Sequence, residues 1–117
     1  MKHHNYFVYI TTNPEKTVLY TGVTNNLEQR LVEHYLQRGS DFAFSGKYFC
    51  YGLLYYERYT QVEQAIKREK QIKKWRRDKK EKLICSVNED FRFLNDEIMM
   101  WPPDKDVQSR KVLSSRP

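Results

Sequence analysis

Tyr6-Phe7-Val8-Tyr9-Ile10-Thr11-Thr12 (YFVYITT) and Val18-Leu19-Tyr20-Thr21-Gly22-Val23 (VLYTGV) are two aromatic, β-branched runs separated by Asn13-Pro14-Glu15-Lys16. That composition on either side of turn-forming residues predicts an antiparallel hairpin. A turn centred on Pro14 and Glu15 sets Tyr9 opposite Tyr20, with both phenols on one face. Immediately after the second run, Thr24, Asn25 and Asn26 offer capping side chains to a helix from Leu27 to about Gln37, which Gly39 stops. Asp41 to Lys47 reads as a loop. Tyr48 to Tyr59 (YFCYGLLYYERY) is a third strand, with Gly52 marking a bulge or a close approach. Thr60, with Glu63 three residues on, forms a capping box for a long helix to about Trp75, and a shorter helix follows over Lys79 to Ser86. The order β-β-α-β-α-α predicts an α/β (α+β) domain: a small, mainly antiparallel three-stranded sheet with flanking helices. Residues 1–90 carry that domain. Residues 91–117 form an extension expected to lose order after about Asp104.

The chain has 117 residues, enough for one core and one domain. It contains 21 Lys and Arg against 15 Asp and Glu, a formal charge of +6. Between Thr60 and Lys82, ten basic residues face four acidic ones, so this segment alone accounts for the whole surplus. Lys67, Arg68, Lys70, Lys73, Lys74, Arg76 and Arg77 are its centre. A concentrated basic stripe matches a polyanionic partner, whose binding weakens as salt rises. No stretch approaches the roughly 20 apolar residues of a membrane span, and the N-terminus has no signal-peptide core, so no membrane association and a cytoplasmic location are expected. Cys50 and Cys85 fit neither a metal knuckle nor a disulfide framework and are read as buried thiols in a reducing compartment.

Three positions stand out chemically. On the helix from Thr60, Glu69 lies in the middle of an apolar stripe of Val62, Ala65, Ile66 and Ile72. A carboxylate there needs a partner or a metal. Lys73, one turn on, and Arg76 are the available partners. On the preceding helix, Arg30 and His34 sit one turn apart at the border between apolar and polar faces, where they can reach into a cleft.

Taken in order, Val8-Tyr9-Ile10, Tyr20-Thr21-Gly22, Arg30 with His34, and Glu69 within AIKREKQIK resemble the GIY-YIG nuclease superfamily. The likeness covers residues 6–88 and is closest to its small stand-alone bacterial members; it extends to the nuclease module of the excision-repair incision subunit. The resemblance implies metal-dependent hydrolysis of phosphodiester bonds in DNA, structure-selective and linked to repair or recombination. By the same resemblance, Glu69 would hold Mg²⁺ or Mn²⁺, and Arg30 a non-bridging oxygen of the scissile phosphate. Tyr9 would act as general base, its phenol acidified by nearby positive charge, while Tyr20 orients water or phosphate and His34 assists proton transfer. Gly22 fits a close approach of backbone. Val8 and Thr21 stand where the name motif has glycine and isoleucine, and Val23 where repair-enzyme members carry a lysine; Lys47, His34 and Lys73 are candidates to replace it. Asn88 is a candidate for the asparagine that many members place after the metal-binding helix. Specificity is expected from the basic helix, a protein partner or dimerisation. A non-catalytic nucleic-acid-binding module is the alternative reading.

Overall fold

The computed structural model describes residues 5–41 and 44–103, so the expected loss of order after Asp104 falls outside the described residues. Its strands are β1 (Tyr6–Thr12), β2 (Leu19–Thr24) and β3 (Gly52–Tyr59), and its helices α1 (Leu27–Leu36), α2 (Phe44–Lys47), α3 (Val62–Lys73), α4 (Arg77–Cys85) and α5 (Asn95–Ile98). The sheet order is β2-β1-β3 with both pairings antiparallel, and the three-stranded, mainly antiparallel sheet expected from the sequence is present.

β1 is the central strand and is covered on both faces. Val8 and Ile10 pack with Leu54, Ala65, Ile72 and Ile84, beneath α3 and α4. Tyr9, pointing the opposite way as strand alternation requires, packs with Leu27 and Leu31 of α1, Leu53 and Leu94. Each such buried apolar side chain contributes about 1.5–3 kcal/mol to burial, and together they place α1 and α3 on opposite faces of one strand.

The hairpin register differs from the expected one by two residues: Tyr9 faces Gly22, and Tyr20 faces Thr11. Asn13 is the cause. Its Oδ1 accepts from the backbone N–H groups of Thr17 (2.8 Å) and Val18 (2.9 Å), and its Nδ2 donates to Thr17 Oγ1 (2.7 Å). With Lys16 in the left-handed region (φ 59°), these bonds build a wider connection than a turn on Pro14-Glu15. A shift of two preserves the pleat, so both tyrosines still share a face.

Asn26 caps α1, its side chain accepting from Gln29 N–H at 3.0 Å, and Gly39 follows the helix at φ 84°. The expected 41–47 loop instead contains α2. Gly46 tucks under the end of α1, where an added Cβ would lie 2.5 Å from the Gln37 carbonyl oxygen, and its own carbonyl accepts from Gly39 N–H (2.7 Å). The third strand starts at Gly52 and not at Tyr48, because Phe49 turns through φ 60°. Gly52 is a close approach: a Cβ there would sit 2.7 Å from the Phe93 ring. The bulge lies two residues on, at Leu54, which is skipped as Ile10 pairs with Tyr55 and Thr11 with Leu53. α3 is preceded by Gln61 without a side-chain cap, so the Thr60–Glu63 box does not form. Cys50 is buried, whereas Cys85 is exposed, correcting the reading of both as interior thiols.

Beyond α4, the chain returns to the sheet. Leu94 N–H donates to the Leu53 carbonyl (2.7 Å), while Asn95 accepts from Leu53 N–H (2.7 Å) and donates to the Tyr51 carbonyl (2.9 Å).

Candidate active site

The site begins with a missing side chain. Tyr9 lies across Gly22 so closely that a Cβ on residue 22 would be 2.5 Å from the phenol oxygen and 2.6 Å from Cζ. Only glycine leaves that space. Its hydroxyl meets His34 Nε2 at 2.8 Å, and His34 Nδ1 meets Ser45 Oγ of α2 at 2.9 Å. Tyr20 stands edge-on to the His34 ring (centroids 5.4 Å apart), and Phe44 stacks on Tyr20 from outside (6.1 Å). β1, β2, α1 and α2 thus each contribute to one aromatic cluster.

Burial sets the protonation of its two central groups. Tyr9 is 1% exposed. Desolvation holds its phenol above the ordinary range; Tyr20 adds to this, and Arg30 opposes it without prevailing. The expected acidification of Tyr9 by positive charge is therefore corrected: loss of water outweighs one guanidinium. His34 is pushed down to about 4, first by burial and then by Arg30, so its imidazole is neutral near pH 7. A protonated phenol donates, which makes Nε2 the acceptor and leaves Nδ1–H to donate to Ser45 Oγ. The result is an ordered relay from Tyr9 through His34 to Ser45.

Arg30, one turn before His34, keeps its guanidinium at the surface (43% exposed) with a loose 3.5 Å contact to Glu33. It is available to an incoming anion. Glu69 approaches from α3 and is buried, as its place in the apolar stripe predicts. Its charge acts on the Tyr9 phenol, though more weakly than that of Arg30. Glu69 Oε2 pairs with Lys73 Nζ at 2.6 Å, so the expected helical partner is engaged. Lys73 itself is half exposed, and such a partner is readily exchanged with solvent. No three His, Cys, Asp or Glu side chains converge among the described residues, so no all-protein cage is formed. One buried carboxylate whose helical partner is half exposed fits a hard divalent cation that keeps several waters and takes further oxygens from a phosphate.

The basic stripe divides on folding. Lys67, Lys70 and Lys74 are exposed, without ion-pair partners among the described residues. Arg68 is committed to Glu57 (2.9 Å), and Arg77 to Glu81 (2.8 Å) and the Thr17 carbonyl (2.6 Å). Arg76 reaches Asp78 only at 4.0 Å. Lys47 lies on α2 beside the cluster, its Nζ 5.6 Å from the Tyr48 ring centre. Asn88 is not brought to the cluster by any contact among the described residues: its amide donates to the Leu54 and Arg92 carbonyls (3.0 and 2.9 Å), and its oxygen accepts from Arg92 N–H. It braces the end of α4 against β3.

Ser45 and Phe44 escape sequence reasoning because neither favours a helix strongly and their segment reads as a loop. Glu57 also escapes it, although the alternation Tyr55-x-Glu57-x-Tyr59 is a readable signal of one strand face. Burial opposes its ionisation, but hydrogen bonds from Arg68, Tyr55 and Tyr59 prevail and hold the carboxyl below its usual range.

Comparison with known proteins shows the family. The family model described as the GIY-YIG catalytic domain matches residues 5–82. A UPF0213 protein of Natronomonas pharaonis is 34% identical over 81 residues, covering 69% of this chain and 92% of that one. UPF0213 proteins of Bacillus pumilus (30% identity, 72% of this chain, 83% of the relative) and Staphylococcus haemolyticus (32%, 71% and 94%) are similar at the same level. The solution NMR structure of a UPF0213 protein from Bacillus halodurans has 24% identity and a TM-score of 0.47, covering 79% of this chain and 93% of that one. No helix among the described residues is long and apolar enough to cross a membrane.

Proposed function

The chain belongs to the GIY-YIG catalytic-domain family, and from that membership and the Tyr9 cluster we propose that it is a divalent-metal-dependent endonuclease acting on DNA in the cytoplasm, with roles in repair or recombination. The supporting observation is the convergence of Tyr9, Tyr20, His34 and Arg30 around Gly22, with the Glu69 carboxylate within electrostatic range of the Tyr9 phenol.

In this reading, Arg30 takes a non-bridging oxygen of the scissile phosphate and offsets the charge that grows there during attack. Tyr9 accepts a proton from the attacking water as its own phenolic proton passes 2.8 Å to His34 Nε2. A neutral imidazole is what that transfer requires, and Ser45 holds the ring in the accepting tautomer. Tyr20 borders the same face and orients water or phosphate. Glu69 would hold Mg²⁺ or Mn²⁺, which when bound supplies Lewis-acid stabilisation of the phosphate and leaving oxygen.

The test is cleavage of branched, nicked and single-stranded DNA in Mg²⁺ or Mn²⁺ by the wild type and by Glu69→Gln. A loss of at least about 100-fold in the variant is expected, and equal rates would remove Glu69 from the chemistry. The Glu69–Lys73 pair favours a second reading, a binding module without turnover, which predicts no metal-dependent product at any protein concentration.

A further inference from the structure

α3 presents two faces of different character. Glu69 points inward, whereas Lys67 and Lys74 lie roughly 140–160° around the helix from it, at about 100° per residue. On that far side is an open cleft of about 690 Å³, lined by Tyr59, Lys67, Arg68, Lys70, Lys74 and Trp75 among others, with no carboxylate in its wall. Glu57, behind Arg68, cancels that one guanidinium and fixes it in place at 2.9 Å. Lys67, Lys70 and Lys74 have no such counter-charge among the described residues. Lys79 Nζ, from α4, lies 4.4 Å from the centre of the Trp75 ring, and the Arg68 guanidinium 5.1 Å from it. The cleft therefore combines an indole, a phenol and unneutralised lysines, and it is turned away from the Tyr9 cluster.

We infer that this cleft is a second nucleic-acid site that takes unpaired nucleotides of a DNA strand flanking the cleavage point, with a base displacing Lys79 from the Trp75 ring and phosphates on Lys67 and Lys74. The inference rests on the nuclease reading for the origin of that strand, though not for the chemistry of the cleft. A lysine-lined groove alone would suit any polyanion. The aromatic wall separates the cases, because a duplex hides its base faces within the stack while a single strand offers them. The cleft also gives a use to the lysines that cannot reach a phosphate held at Arg30 and Glu69 on the other side of the helix.

The experiment is fluorescence anisotropy of a labelled oligo-dT strand and of a duplex of equal length, in EDTA so that no cleavage occurs, with full-length protein across a salt series. Trp75→Leu is expected to weaken oligo-dT binding about tenfold while leaving duplex binding within about twofold, and Trp75→Phe to retain most of the wild-type affinity. The surface double variant Lys67→Gln/Lys74→Gln keeps the core untouched and is expected to flatten the logarithmic salt slope for oligo-dT by about 1.4. If the double variant binds oligo-dT with wild-type affinity and slope, or if single strand and duplex weaken equally in both variants, the inference is overturned. Glu69→Gln separates the two proposals: it lowers cleavage at least about 100-fold, while Trp75→Leu still weakens oligo-dT binding about tenfold in that background. A wild type that binds through Trp75 yet never cuts would refute the nuclease reading and leave the cleft standing.

Discussion

Gly22→Ala is the sharpest perturbation of this site, because the added methyl lands on the group that defines it. The new Cβ would lie 2.5 Å from the Tyr9 hydroxyl oxygen, 2.6 Å from Cζ and 2.9 Å from Cε1. Ordinary contact needs about 3.5 Å, so the ring must retreat by about 1 Å. It has little room to do so, being 1% exposed and enclosed by Leu27, Leu31, Leu53 and Leu94. A retreat of that size carries the 2.8 Å bond to His34 past the reach of a normal hydrogen bond, about 3.2 Å. Overpacking costs about 1–3 kcal/mol, and a buried polar group left unpaired about 1–3 kcal/mol. A combined loss of about 2–6 kcal/mol corresponds to a fall in Tm of roughly 10–30 °C for a domain of this size. Differential scanning calorimetry measures it, and repeating the substitution in a Tyr9→Leu background tests the cause. With the ring gone, the cost of Gly22→Ala should shrink by at least about 1 kcal/mol. A Tm within about 2 °C of wild type for Gly22→Ala, or an equal cost in both backgrounds, would refute the geometry.

Two further predictions concern the groups beside that ring. Arg30→Ala should lower the cleavage rate about 100- to 1,000-fold while moving Tm by no more than about 2 °C, because the side chain is surface-exposed and loosely paired; single-turnover kinetics with calorimetry reads both. His34 has a folded-state pKa of about 4, below its ordinary 6.5, so the unfolded chain binds the extra proton first. Its contribution is complete above pH 6.5 and is lost as pH falls towards 4, with a total of about 3 kcal/mol, and urea denaturation across that window should show a shallower decline in His34→Gln than in wild type.

How far the sequence could be read depended on how local the cause was. The β-branched runs, the Asn26 cap and the carboxylate at Glu69 are written within a few residues of where they act, and the structure contains each. The hairpin register was missed because one side chain, Asn13, replaces backbone turn chemistry with its own bonds to Thr17 and Val18. α2 was missed because tertiary contacts, chiefly Gly46 beneath the Gln37 carbonyl, hold a segment with little intrinsic helix preference. The protonation of Tyr9 is hidden from the sequence for the same reason: the enclosure that sets it comes from Leu31, Leu53 and Leu94, scattered over the chain.

The contact of Leu94 and Asn95 with Leu53 has a consequence for solubility. Leu53 lies opposite Thr11 of β1, but its own N–H and C=O point outward, away from β1, and are taken by Asn95 and Leu94. The returning chain thereby occupies the rim of the sheet that another copy could extend, a common safeguard against edge-to-edge aggregation. A protein trimmed back to the catalytic motifs would keep every reactive group and yet bare a sticky border, with clumping as its first symptom in place of lost chemistry.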